Sequence, residues 1–81
     1  MIFTFNSNNL YNYPITHISF DRVDIEKKVF YGVAHYLDWA NMKDLGRIVA
    51  NGTDDEFEKA YQMYQRGVNM FEVFGNQIII S

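Results

Sequence analysis

Residues 53–68 read TDDEFEKAYQMYQRGV, and this stretch anchors the reading of the whole chain. Thr53 followed by Glu56 has the form of a capping box, in which the Thr hydroxyl and the Glu carboxylate satisfy each other's backbone N–H groups. Asp54, Asp55 and Glu56 place negative charge where the helix dipole is positive. Apolar residues then recur at Phe57, Ala60, Tyr61, Tyr64 and Val68, the spacing of one helical face. Arg66 lies in the last turn, and Gly67 suits the left-handed stop position, with Val68 folding back on Met63. The spacing predicts a helix over residues 54–66.

Outward from that helix the chain reads as strands. Phe3 and Phe5 alternate near the N-terminus, residues 6–9 have the composition of a turn, and Pro14 makes residues 10–14 an edge segment or extended loop. Residues 15–23 and 29–37 read as an antiparallel pair, joined by the short charged link Asp24-Ile25-Glu26-Lys27-Lys28. Gly32 in mid-strand points to a bulge or to close approach by another element. Residues 68–74 and 77–80 flank Gly75-Asn76, a two-residue hairpin turn with Gly first.

Residues 38–51 admit two readings. One is a helix capped by Asp38, with Met42, Leu45 and Val49 inward. The other is a short helix or loop over 38–45 followed by a strand, Arg47-Ile48-Val49-Ala50, and it is preferred. Gly46 would cost a continuous helix about 1 kcal/mol, and the β-branched pair Ile48-Val49 favours a strand. The expected fold class is therefore α+β: an antiparallel sheet of four or five strands, one main helix (54–66) packed on one face, and a second short helix near 38–45.

Composition narrows the function classes. Eighty-one residues make one domain, residues 1–81. With 48% hydrophobic and 21% charged residues the chain is globular. No apolar run approaches the roughly 18 residues of a membrane span, and the N-terminus lacks the basic region of a signal peptide. A cytoplasmic protein is the expectation. There is no cysteine, hence no disulfide, thiolate nucleophile or Cys-based zinc site. A net charge of −3 gives no electrostatic reason to bind nucleic acid or an anionic membrane. The aromatic load is heavy, with seven Phe, six Tyr and one Trp, so some rings are expected to stay accessible for an interface.

Motifs for chemistry are sparse. His17 and His35 stand near Asp21, Asp24 and Asp38, but no nucleophile context accompanies them, and two histidines fall short of the three or four ligands zinc needs. Glycines match neither dinucleotide nor P-loop patterns, so no cofactor is expected. Lys28–His35 departs from the RNA-recognition strand motif at its glycine positions. Asn51-Gly52-Thr53 is formally a glycosylation acceptor, but Thr53 is already accounted for as a helix cap.

What remains is a binding role without catalysis: an inhibitor or adaptor that occludes a surface of a larger protein. Small phage-encoded inhibitors share this size and charge, an analogy of composition alone. The partner-binding candidates are the acidic helix start, Asp54, Asp55 and Glu58, and the C-terminal Ile79. If Ile78 and Ile80 face the helix, Ile79 points to the bare side of the sheet, where a homodimer would cover it. The alternatives are a single-strand nucleic-acid binder stacking bases on Tyr31 or Tyr36, and a small enzyme using His17 or His35.

Overall fold

The computed structural model describes residues 2–6 and 15–80; of the expected turn at 6–9, Asn6 ends the first strand, and the remainder, with the edge segment at 10–14, lies outside the described residues. Six strands and one helix follow in the order β1 (Ile2–Asn6), β2 (His17–Asp24), β3 (Val29–Asp38), β4 (Asn41–Asn51), α1 (Asp54–Gln65), β5 (Met70–Phe74) and β6 (Gln77–Ile79). The strands close into an antiparallel barrel, β1-β4-β3-β2-β5-β6, in which β6 pairs back onto β1. This corrects the α+β expectation of an open sheet with a helix on one face. Long-range pairing makes the difference: β1 is bonded to β4 through Thr4–Asn51 and to β6 through Phe3–Ile78. Every strand then has a neighbour on each side over part of its length.

The second correction concerns residues 38–45. They form no helix; β4 runs unbroken from Asn41 to Asn51 and pairs with β3 along its whole length, from Asp38–Asn41 to Val29–Asn51. The expected strand over 47–50 is its second half. A bulge explains the misreading. Ala34 faces Gly46 while His35 faces Asp44, so Leu45 is an extra residue on β4. Leu45 and Ile48 are therefore both buried at a spacing of three, which imitates helical periodicity.

The interior is aromatic. Phe3, Phe20 and Phe30 are fully buried and in mutual contact, with Phe20 stacked on Phe30 at 4.7 Å between centroids. A six-stranded barrel holds three such rings only where the wall carries small residues, here Gly32, Ala34 and Ala50. Gly32 faces Phe20, and a Cβ there would sit 2.1 Å from the Ser19 carbonyl oxygen. The close approach expected at this glycine is thus present, made by the neighbouring strand.

The helix closes one end of the barrel. Its capping box is complete: the Thr53 N–H donates to Glu56 Oε1 at 2.8 Å, and the Glu56 N–H to Thr53 Oγ1 at 3.3 Å. Gly67, at φ +90, ends it, with the Val68 N–H donating to the Met63 carbonyl as expected. Phe57 and Tyr64 pack on Phe30 at 5.2 and 5.8 Å, so the apolar stripe caps the aromatic core from below.

Two substitutions test this packing. Phe20→Ala is expected to cost about 3–5 kcal/mol, a large share of the roughly 4–12 kcal/mol that a chain of this length holds. Gly32→Ala should cost close to the upper end of the about 1–3 kcal/mol of overpacking, because the obstacle is backbone. Urea unfolding midpoints measure both, and a Gly32→Ala midpoint equal to that of the parent would show the β2–β3 approach to be wrong.

Candidate functional site

The two ends of the barrel differ. β4 ends and β5 begins at the helix end, so the β3–β4 and β5–β6 turns both lie at the opposite end. Among the described residues β2 pairs with β3 as far as His17–His35, with one further bond from the Thr16 N–H to the His35 carbonyl, and beyond that level β3 and β4 continue as a two-stranded ribbon. The ribbon reaches Trp39 four residues later, about 13 Å further on.

Trp39 and Ala40 form the turn at the ribbon tip. The indole, the only one in the chain, is 93% exposed. Its backbone stands at φ +58, in the left-handed region. The turn between β5 and β6 has the same form with Gly75 at φ +66, where glycine carries no steric cost. A bulky residue in that conformation is an outlier costing roughly 1–2 kcal/mol, and an indole in water recovers none of it. Directly behind the tip, Leu37 and Met42 oppose each other on the outer side and are each more than 40% exposed. The β4 bulge sits at the ribbon's root, where the Gly46 N–H donates to Asp44 Oδ1 at 2.9 Å.

Below Leu37 and Met42 runs a polar row. Register places Glu72, His17, His35 and Asp44 side by side across β5, β2, β3 and β4, facing outward. Each histidine is held by a hydroxyl: His35 Nε2 lies 2.7 Å from Ser19 Oγ, and His17 Nδ1 lies 2.9 Å from Thr16 Oγ1. Thr16 Oγ1 also accepts the Leu37 N–H at 2.9 Å, tying the start of the ribbon to β2. Among the described residues, no three histidine or carboxylate groups converge to hold a metal ion. The Ser19–His35 contact is short enough for proton transfer, but it lies on the convex outer wall.

Cations on the wall are largely engaged. Arg47 pairs with Asp21 at 3.0 Å, Lys28 with Asp54 at 2.9 Å and Lys43 with Asp38 at 3.9 Å. Arg22 lies over the Tyr31 ring, 4.2 Å from its centroid. Tyr36, the other tyrosine proposed for stacking, packs against the core.

The expected partner-binding residues are not brought together with this tip. Asp54, Asp55 and Glu58 are exposed at the helix end, where Asp54 is held by Lys28 and Glu58 accepts from Gln62 at 3.4 Å. Ile78 and Ile80 are buried and Ile79 is 47% exposed, so the expected alternation is present. The bare sheet face assumed for Ile79 does not exist, because the barrel has an outer wall and a filled interior. Sequence reasoning missed Trp39 altogether. The available signal was Asp38-Trp39-Ala40-Asn41, a turn-like group between two strand runs, obscured by the reading of 38–45 as a helix.

The fold and site define a small closed antiparallel β-barrel with a projecting aromatic ribbon. The chain matches no known family model, curated protein or solved structure. Among the described residues no helix is long and apolar enough to cross a membrane.

Trp39→Gly is expected to raise stability, by a few tenths to about 1 kcal/mol. Relief of the left-handed strain outweighs the extra chain entropy of glycine, and almost no packing is lost. Denaturant midpoints decide it; a fall of 1 kcal/mol or more would mean that Trp39 holds the fold together.

Proposed function

We propose that this chain is a non-catalytic interaction module that docks on a larger protein through its β3–β4 ribbon, occluding a surface as an inhibitor or adaptor does. One observation carries the reading: the single Trp stands at φ +58 at a tip where its side chain is 93% exposed. Strain that folding does not require points to function, and Trp is the residue type most enriched at binding hot spots. Leu37 and Met42 widen the apolar contact around it.

Single-strand nucleic-acid binding has less support. It needs free cations along a groove and open aromatic faces. Arg47, Lys28 and Lys43 are paired with carboxylates, Arg22 covers one face of Tyr31, and Tyr36 is turned to the core. The acidic helix start is accounted for by helix capping and the Lys28 pair, and it lies at the wrong end to share a contact with Trp39.

The test uses Trp39→Gly, a variant expected to fold at least as well as the parent. Parent and variant chains are used side by side to capture proteins from the source cells, and the captured protein is then purified. It should be retained by the parent and lost by Trp39→Gly, and it should shift the emission of Trp39 to shorter wavelength as the indole leaves water. A partner held equally by both chains, with no change in emission, would remove the ribbon tip as the binding element.

A further inference from the structure

The geometry points to a second hairpin in the same contact: Phe74, on β5, acts with Trp39, and the protein they grip presents an apolar cleft bordered by basic residues. This rests on the ribbon being the docking element and adds a second contact point and a partner chemistry to it.

Phe74 is 79% exposed, next to the Gly75-Asn76 turn. Register brings it level with the ribbon's apolar pair. Glu72 faces His17, which faces His35; Phe74 lies two residues beyond Glu72, and Leu37 two beyond His35. Residues two apart on a strand share a face, so Phe74, Leu37 and Met42 belong to one outward band at the end of the barrel away from the helix. At the level of the polar row β2 alone lies between β5 and β3, a lateral distance of about 10 Å, and Trp39 extends the band beyond its end. Four large exposed apolar side chains from two hairpins at one end form a patch of the kind that marks an interface.

Charge selects the occupant. Directly beneath the band stand Glu72 and Asp44, one at each end of the polar row, and both are exposed. Lys43, next to Asp44 on β4, is paired with Asp38. An apolar centre with carboxylates on both flanks complements a cleft rimmed by Lys or Arg. The same carboxylates repel phosphate backbones and anionic lipid headgroups. A folded protein with a basic rim is the occupant these features fit.

Site-specific photo-crosslinking in the source cells tests it. A benzophenone amino acid replaces Trp39, Phe74 or, as the far-end control, Asp55, in separate full-length chains. All three positions are exposed, and circular dichroism confirms folding. Positions 39 and 74 should yield the same protein adduct, and position 55 should not. With that protein purified, Phe74→Ala should weaken binding about tenfold. Glu72→Lys with Asp44→Lys should slow association severalfold at low salt, with the difference shrinking as salt rises.

An adduct from position 39 alone would overturn the second contact while leaving the ribbon as docking element. No adduct from either would sink both readings. Adducts with lipid, nucleic acid or a second copy of this chain would replace the occupant. Equal crosslinking from position 55, or association kinetics indifferent to the charge reversals, would also overturn the proposal.

Discussion

The structure depends on β1 being bonded on both sides. Five residues at the N-terminus join β4 to β6, and in doing so convert a sheet into a closed wall. The hydrogen bonds alone would give little, since each is worth about 1 kcal/mol net. What favours closure is that Phe3 and Phe5 enter the interior, where Phe3 meets Phe20 and Phe30 edge-on at 6.3 and 5.8 Å. Backbone pairing and ring packing are satisfied by the same insertion. Gly32, Ala34 and Ala50 then follow as requirements, because the wall must yield room for the rings it encloses.

Closure of the wall has consequences for binding. An open sheet recruits a partner by adding a strand to its border, whereas over the paired stretches of this barrel both sides of each strand are taken. Recognition then falls to side chains on the outer wall or to a segment that extends past the paired stretches. Among the described residues the β3–β4 ribbon is such a segment. It is held to β2 at its base by Thr16, through the Leu37 N–H. A rigid base under an exposed anchor limits the entropy lost when the tip is fixed on a partner.

Local signals were legible where they were local. The capping box at Thr53, the stop at Gly67 and the Gly75-Asn76 turn each depend on residues a few positions apart, and each is present. So is the β2–β3 hairpin, whose alternation the expected strands at 15–23 and 29–37 follow closely. Barrel closure was not legible, because Thr4 meeting Asn51 and Phe3 meeting Ile78 are facts about residues far apart in sequence. The candidate residues at the helix start were legible as an exposed acidic group, of which Asp54 is held by Lys28. The ribbon tip at the other end was not legible, because its exposure depends on how β3 and β4 pair.

The misreading of β4 and the position of the site have one cause. An ideal strand over 41–51 would alternate with period two and place every second residue in the core. The extra residue at Leu45 breaks that alternation, and the half of β4 beyond it, Asn41–Asp44, is exposed throughout. The first effect gives the spacing of a helix. The second removes the hydrophobic pattern that would have marked a strand. Both follow from a ribbon that has left the core, since residues outside it are under no pressure to alternate. Natural sequences depart from local consistency where something other than folding sets the residue. Lys28 at φ +55 and the β2 bulge at Phe20–Arg22 are departures elsewhere, but three fall together on the ribbon: a bulge at the root, an exposed arm over Asn41–Asp44, and an indole at φ +58 on its tip. The stretch that obscured the fold is the stretch that carries the candidate function.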